Sequence, residues 1–275
     1  MATVEERPGG RPTERFRVVR VREGRAAEQP DTLAAEEPLE IRLGGESVAV
    51  TMRTPGHDAE LAAGFLLGEG IIRQRDLSTV LECRSDEGDG GVADVELRPG
   101  ASPSAGWQRN FYATSSCGIC GKASIDAVRV SAPPIPAGLV VQRRVLEGLP
   151  DALRAAQRVF DRTGGLHAAG LFTPDGELEV LREDVGRHNA VDKVVGRAAM
   201  EGRLPLHERV LLVSGRSSFE IMQKALVAGI PVVAAVSAPS TLAVRLARES
   251  NMTLVGFLRP EGFNVYAGAG RILGL

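Results

Sequence analysis

Three uninterrupted apolar runs, separated by segments with a helical pattern, limit the possible folds more than any other feature of the sequence. The runs are RVLLVS (209–214), PVVAAVS (231–237) and MTLVGFL (252–258), and the helical segments between them cover about 217–228 and 240–250. Strands that are apolar on both faces are typical of a parallel sheet covered on both sides by helices. The pattern therefore predicts an α/β domain built around these runs.

The segments before these runs extend the same domain. A helix is predicted around 150–162, ending at Gly164-Gly165, because glycine commonly follows a helix C-terminus. A hairpin follows, with AAGLF and ELEVL as its strands and the turn at 173–176. A further helix is predicted near 188–201.

The N-terminal half has a different, mixed pattern. Two β-prone stretches around Gly44-Gly45-Glu46 predict a hairpin over 39–52. After Pro55 comes an apolar helix that Asp58 is expected to cap, with Leu61 and Phe65 on its buried face. Residues 84–91 are predicted to be a mobile loop, followed by the strand VADVEL.

We therefore predict a disordered tail and two domains. The tail covers 1–14, which is rich in Pro, Gly, Glu and Arg. A smaller N-terminal α+β domain is expected over 15–139, and the α/β domain over 140–275.

Charge and composition exclude several classes of protein. The net charge of −2 supplies no broad basic field, which argues against a general nucleic-acid-binding protein. No apolar run approaches the roughly 20 residues that span a bilayer, and the N-terminus lacks the apolar core of a secretory signal. We expect a cytoplasmic protein without membrane contact. Three cysteines make a poor disulfide framework, so their function is sought in thiol reactivity.

The sequence Ser115-Ser116-Cys117-Gly118-Ile119-Cys120-Gly121 is the strongest candidate for chemistry. Small residues frame the two cysteines, so another molecule can approach the sulfur. Lys122 follows and favours the thiolate, which is the nucleophilic form.

Three other interpretations of this pair fit the sequence less well. A structural zinc site needs four ligands, but the remaining cysteine is Cys83 and the next histidine is the distant His167. A thioredoxin-like redox pair should lie where a strand leads into a helix of a thioredoxin domain, and the surrounding sequence lacks the order of elements of that fold. Two inert structural thiols are disfavoured by the polar, glycine-rich frame. Cys83 is interpreted as a structural or surface thiol.

SSCGICGK resembles the signature of the FdhD family, the formate dehydrogenase accessory sulfurtransferases. Further stretches resemble the same family in order along the chain, and together they cover residues 53–266. They are RTPGHDAELAAGFLLGEGII, GGLHAAGLF, EDVGRHNAVDKVVG, SGRSSFEIMQKALVAGIPVVAAVSAPS and GFLRPEGFNVY.

The resemblance implies a fold, a function and a set of site residues. The second domain is expected to be cytidine-deaminase-like. The family carries sulfur from a cysteine desulfurase to the bis(guanine dinucleotide) form of molybdenum cofactor, before that cofactor enters formate dehydrogenase. Cys117 is then the persulfide-bearing residue and Cys120 its partner, and a homodimer without a structural metal is expected. The cofactor-binding residues would be Phe257, Leu258, Arg259, Pro260, Glu261 and Gly262.

The α/β half independently offers a place for an anionic ligand. In open α/β sheets, ligands bind beyond the carboxyl ends of the strands, where helix N-termini present free N–H groups. Ser214–Ser218 and Ser237–Thr241 follow adjacent strands and are rich in hydroxyl groups, and Arg216 is suited to a phosphate. Ordinary N-capping by these serines is the alternative.

The histidines and the polar residues near 183–189 are further candidates for function. Arg187 and His188 precede a helix, where they either face a cofactor or cap the helix; we favour function. His167 is as consistent with a core histidine as with a ligand-binding one. His57 and His207 receive no role.

Two other functions compete with sulfur transfer. Zinc-dependent deamination needs a general acid/base Glu two residues after a ligand, but Ala169 occupies that place after His167. No cysteine follows Cys120 to complete a zinc site, so deamination is rejected. A non-catalytic chaperone that holds the molybdenum cofactor stays open, and sulfur uptake by Cys117 would distinguish it from a carrier.

Overall fold

The computed structural model describes residues 3–5, 10–84, 90–104, 130 and 132–275. In chain order, the elements of the N-terminal half are β1 Thr3–Glu5, β2 Thr13–Arg22, β3 Arg25–Ala34, β4 Glu37–Leu43, β5 Glu46–Arg53, α1 Asp58–Gly68, β6 Leu77–Arg84 and β7 Gly91–Leu97. Five of these strands form a sheet in the order β1-β6-β7-β4-β5. Helix α1 packs on this sheet, and all of its residues are buried.

The C-terminal half contains a six-stranded sheet. Its elements are β8 Val141–Gln142, α2 Arg143–Ala156, α3 Arg158–Thr163, β9 His167–Phe172, β10 Leu178–Asp184, α4 Arg187–Met200, β11 Val210–Val213, α5 Phe219–Val227, β12 Val232–Ala235, α6 Thr241–Glu249, β13 Thr253–Arg259, β14 Gly262–Ala267 and β15 Ile272–Leu273. The strand order is β10-β9-β11-β12-β13-β14. Strands β11, β12 and β13 are parallel, and the flanking strands run antiparallel to their neighbours.

Helices cover both faces of this sheet. On one face, Val191 of α4, Met222 of α5 and Leu246 of α6 share an apolar cluster with the strands. On the other face, Leu146 and Leu153 of α2 pack against the same strands. The predicted central strands and their helices are confirmed to within two residues, because burial on both faces leaves a clear apolar signal.

The two halves meet where α1 crosses α4. A Cβ atom at Gly64 would overlap the carbonyl oxygen of Asp192, and one at Gly196 would overlap that of Glu60. Two glycines therefore let the helix backbones touch, because no side chain stands between them. The boundary at 139/140 stays a prediction.

Strands β2 and β3 form a separate two-stranded hairpin that the sequence analysis did not identify. They are joined at Glu23-Gly24, where both residues have positive φ (50° and 71°), as a tight two-residue turn requires. The Gly44-Gly45 turn between β4 and β5 has the same character (φ 60° and 85°), and this predicted hairpin is confirmed.

Three local predictions were wrong. Residues 3–5 and 13–14 lie in strands, so the disordered tail does not hold for them. Asp58 does not cap α1: the N-cap is His57, and Asp58 lies in the first turn, paired with Arg53. The helix expected at 150–162 begins at Arg143 and is interrupted at Gln157, so Pro150 lies inside it.

The mixed α/β class is confirmed, and a cytidine-deaminase-like fold stays a prediction. None of the helices in the described ranges is long and apolar enough to cross a membrane. The predicted loop over 84–91 lies mostly outside the described residues; β6 and β7 flank it.

Candidate functional site

The carboxyl ends of β11, β12 and β13 meet along one edge of the six-stranded sheet, as parallel strands require. The loop 214–218 follows β11, and 236–240 follows β12. These loops touch: Ser240 N donates to Ser217 O at 3.0 Å, and Phe257 N donates to Ser237 O at 3.2 Å. The edge predicted to bind an anion is therefore a connected surface.

The loop after β11 is held tightly against β9. Ser214 N donates to Ala168 O at 2.9 Å, and Ala168 N donates to Ser214 Oγ at 2.8 Å. Gly215 is buried next to this contact, and a Cβ there would lie 3.4 Å from both Arg187 Cδ and His167 Nδ1. The turn thus brings His167 and Arg187 together next to one glycine.

Two buried polar atoms at this edge have no hydrogen-bond partner among the described residues. They are Nε of Arg187 and Oγ of Ser217, and Ser217 is 0% exposed. Buried polar atoms are normally paired, so such orphans often mark the position of a missing ligand or water. Arg187 also forms no ion pair with a carboxylate in the described part of the chain.

The predicted cofactor-binding stretch forms the end of β13 and the turn into β14. The β13–β14 register shifts between Gly256 and Arg259, and Phe257 there has φ 54° and is 45% exposed. A left-handed φ at a bulky residue is strained, and such strain is concentrated at functional sites. Leu258 is fully buried in the core, so its side chain does not face this edge.

A cavity of about 720 Å³ opens at this edge. Its lining includes Arg259 and Pro260 of the predicted stretch and also His167 and Ser214. Its volume lies in the range of small-molecule sites. The far wall comes from α2 and α3, through Arg154, Gln157 and Phe160.

The remaining predicted binding residues do not line this cavity. Arg216 is exposed in the loop after β11, on the same edge of the sheet. Glu261 is exposed in the β13–β14 turn, and Gly262 begins β14. The contribution of α2 and α3 to the cavity was not predicted from the sequence. Gly164-Gly165 did indicate the chain reversal that brings these helices next to His167.

Charges near the cavity affect its histidine. Burial lowers the pKa of His167, and electrostatic interactions with Arg187 and His188 lower it further, with Asp184 acting in the opposite direction. His167 is therefore neutral at pH 7 and can offer both a donor and an acceptor nitrogen. Arg259 donates to the carbonyl oxygens of Val236 (2.6 Å) and Leu258 (2.8 Å).

His188 faces α5 and does not line the cavity. Its Nε2 lies 2.9 Å from Ser218 Oγ and 3.4 Å from Glu220 Oε2. Burial alone would raise the pKa of Glu220, but hydrogen bonds from His188 and Ser218 lower it to about 2. These contacts fix the start of α5 relative to α4.

The polar residues around 183–189 also join the two halves of the chain. Lys193 Nζ lies 2.7 Å from Asp184 Oδ2 and donates to Thr54 O at 2.8 Å. Thr54 N donates to Asp184 Oδ2 at 3.2 Å, and Asn189 Nδ2 donates to Met52 O at 2.8 Å. The stretches 53–72 and 183–196 resemble the family, and several of their polar residues therefore have a structural role in this buried junction.

Cys117 and Cys120 lie outside the described residues, whereas the points from which their segment departs are described. Ser104 N donates to Ile71 O at 2.8 Å, and Ser104 Oγ donates to Gly70 O at 2.7 Å. At the other end of the segment, Val130 N donates to Gln223 Oε1 on α5 at 2.9 Å. Both ends of the cysteine segment are thus fixed near the end of α1 and the middle of α5.

The third cysteine, Cys83, is exposed on β6. In the described ranges, no three His, Cys, Asp or Glu side chains are grouped so as to hold a metal ion. The expectation of no structural metal stays a prediction.

Comparison with known proteins identifies the family. A model of the FdhD/NarQ family matches residues 34–273, most of the chain. The chain belongs to the FdhD/NarQ family. The resemblance inferred from SSCGICGK and the accompanying stretches is confirmed.

Relatives match over nearly their whole length. A protein of Streptomyces coelicolor named sulfur carrier protein FdhD is 59% identical over 276 residues, covering 96% of each chain. A protein of the same name from Mycobacterium tuberculosis is 56% identical over 255 residues, covering 89% of this chain and 92% of the relative.

A solved structure shares the fold. It is a crystal structure assigned to a formate dehydrogenase accessory protein from Desulfotalea psychrophila. The TM-score is 0.75 at 26% identity, covering 95% of this chain and 99% of the other.

Proposed function

We propose that this chain is a sulfur carrier that holds sulfur as a persulfide on Cys117. The observation that carries the proposal is its 59% identity, over 96% of both chains, to a relative named a sulfur carrier protein, together with the C-x-x-C loop in this sequence. The Cys117 thiolate attacks the outer sulfur of a cysteine desulfurase persulfide. The donor S–S bond breaks, the donor cysteine leaves as a thiolate, and a new S–S bond forms on Cys117.

Cys120 is proposed to assist release. Its thiolate attacks the inner sulfur of the persulfide, which frees the outer atom at the sulfide level and leaves a Cys117–Cys120 disulfide. The two electrons that reduce the outer sulfur to sulfide come from the two cysteine thiols, which become the disulfide. A dithiol reductant then returns the disulfide to two thiols for the next cycle.

The acceptor is proposed to be the bis(guanine dinucleotide) form of molybdenum cofactor, bound as a substrate at the carboxyl edge of the six-stranded sheet. The cavity there, with Arg259, Pro260 and neutral His167 in its lining, supports this proposal. Arg187 and Ser217, whose buried atoms have no partner among the residues that the structure describes, and exposed Arg216 are suited to the phosphates. Gln223, which binds one end of the cysteine segment, lies about 8 Å along α5 from this edge.

The same family membership extends the proposal to the fold, the location and the partners of the chain. We propose a cytidine-deaminase-like second domain, a cytoplasmic homodimer, and formate dehydrogenase as the protein that receives the sulfurated cofactor. The relative of known structure, assigned as a formate dehydrogenase accessory protein, supports the last point.

Mass spectrometry of the intact protein tests the carrier. The wild type is incubated with a cysteine desulfurase and free cysteine, beside Cys117→Ser, Cys120→Ser and the matched control Cys83→Ser, which removes an exposed thiol elsewhere. We expect a gain of one sulfur in the wild type and in Cys83→Ser, and no gain in Cys117→Ser.

The alternative is a chaperone that holds the cofactor without carrying sulfur. No sulfur uptake by the folded wild type, with an active desulfurase, would favour it. Uptake that persists in Cys117→Ser would remove Cys117 from the mechanism.

A further inference from the structure

The hairpin β2–β3 stands apart from both larger sheets. Each strand has 10 residues, so the hairpin is about 33 Å long. Its β2 strand exposes large apolar side chains: Phe16 is 48%, Val19 62% and Val21 66% exposed. A two-stranded hairpin is marginally stable by itself, and exposed apolar side chains in such a position indicate a binding surface.

Apolar residues lie on both faces of the hairpin. Residues directly opposite across the two strands share a face, and Val19 pairs with Glu28 while Val18 pairs with Gln29. The observed ion pairs follow the same alternation, since Arg17 lies 3.9 Å from Glu28 and Arg20 lies 3.5 Å from Asp31. A partner that covers one face would leave the other exposed, whereas a strand added at the edge extends both faces.

The two outer edges of the hairpin differ. Arg22 and Arg25 flank the two-residue turn and form a hydrogen-bonded pair. In an antiparallel hairpin, hydrogen-bonded and non-hydrogen-bonded pairs alternate, and the residues of the non-hydrogen-bonded pairs point their N–H and C=O groups outward. On β2 these residues are Arg15, Arg17, Val19 and Val21. The same alternation makes Pro30, opposite Arg17, an outward-facing residue of β3.

Pro30 therefore removes a donor from the outer edge of β3, which is a common means of blocking strand addition. The edge of β2 contains no proline, and it pairs with no further strand in the described residues. The open edge is that of β2.

We propose that the outer edge of β2 pairs antiparallel with β2 of a second copy, giving a four-stranded sheet across the dimer. The register centres on Val18 opposite its own copy, which makes outward-facing residues pair with each other, as the hydrogen bonds require. The side chains that come closest in this register are Val18 with Val18, Phe16 with Arg20, and Glu14 with Arg22.

The self-complementarity of these pairs selects a second copy as the occupant. Glu14 meets an opposite charge, Phe16 lies next to the aliphatic part of the Arg20 side chain, and the centre is apolar. Moving the register by one residue towards the N-terminus of each strand would place Arg17 opposite Arg17 of the copy, which like-charge repulsion disfavours. Glu14 and Arg22 have no opposite charge across their own hairpin, where they face Leu33 and Arg25.

A pair of proline variants tests the edge. Val19→Pro removes an outward donor of β2, and Glu28→Pro removes an outward donor of β3 at the same cross-strand pair. Sedimentation velocity over a concentration series measures the dimer dissociation constant of each. We expect Val19→Pro to raise it at least tenfold and Glu28→Pro to leave it within about twofold.

A charge exchange tests the register. Glu14→Arg and Arg22→Glu each weaken the dimer, and the double variant restores it because the pair is re-formed with exchanged charges. Arg22→Glu gains an opposite charge in Arg25 of its own hairpin, so a weaker dimer there does not come from a damaged hairpin.

A monomeric wild type, or a dimer that Val19→Pro leaves intact, would overturn the proposal. This β2 edge would be the interface of the homodimer that belongs to the proposed function. Because the readout is the oligomeric state, its failure leaves the sulfur-uptake measurement unaffected.

Discussion

Lys193 Nζ lies 2.7 Å from Asp184 Oδ2 where neither side chain is more than 1% exposed. We predict that Lys193→Met lowers the free energy of unfolding by about 3–5 kcal/mol, because it leaves a buried carboxylate without its cation. Urea denaturation followed by circular dichroism measures the change. Asp184 keeps its hydrogen bonds from Thr54 and Gly186, so the protein should still fold.

The matched control lies on the same helix. Arg197 pairs with Glu201 at 2.5 Å and lies 3.7 Å from Glu60, but it is 47% exposed, and Glu60 keeps its pair with Arg182. Arg197→Met should therefore cost at most about 1 kcal/mol. Equal losses of unfolding free energy in Lys193→Met and Arg197→Met would show that burial of the ion pair at the junction does not determine its contribution to stability.

The helix crossing between α1 and α4 gives a second prediction. Gly196→Ala should destabilise the protein by more than about 2 kcal/mol, because the added methyl group overlaps the carbonyl oxygen of Glu60 and forces the backbones apart. Gly148→Ala makes the same change in α2 at an exposed position with open space. It should stabilise the protein by about 0.5–1 kcal/mol. Thermal unfolding of both variants checks the opposite signs.

Sequence patterns predicted the elements whose burial is simplest. Strands β11, β12 and β13 are apolar on both faces, and the glycines at 44–45 and 176 marked the turns of the β4–β5 and β9–β10 hairpins. Hairpin β2–β3 was not predicted because neither of its faces is buried, so β2 has no regular alternation of apolar and polar residues. The dipeptide Glu23-Gly24 was the one local indication of its turn.

The candidate site could be predicted only in part. The carboxyl edge and Arg259 followed from strand order and from family resemblance, and both border the cavity. Arg154 of its far wall depends on how α2 folds back over the sheet, which no local pattern contains. The burial of Lys193 depends likewise on Thr54, which is 139 residues away in the chain.

Arg187 gives a prediction for ligand binding. With guanosine diphosphate as the probe, Arg187→Met should weaken binding at least tenfold, a loss of about 1.4 kcal/mol, because a phosphate loses a charged donor. Arg187→Lys should recover part of the affinity. Isothermal titration calorimetry at fixed salt measures it, and Arg245→Met, an exposed change of equal charge on α6, should bind as the wild type does. Unchanged binding in Arg187→Met would place the phosphates elsewhere.

The carboxylate of Glu220 gives a prediction for pH dependence. Because hydrogen bonds from His188 and Ser218 outweigh burial, its pKa in the folded protein is lowered to about 2 from an ordinary value of 4.5. A lowered pKa contributes stability above the unfolded value, and that contribution is lost as the pH falls from about 4.5 towards 2. Glu220→Gln should therefore cost about 2 kcal/mol at pH 7, and the difference from the wild type should shrink through this window. Urea denaturation at pH 7, 5, 4 and 3 measures it, with exposed Glu177→Gln as the control. A difference that stays constant down to pH 3 would show that the ionised carboxylate does not stabilise the start of α5.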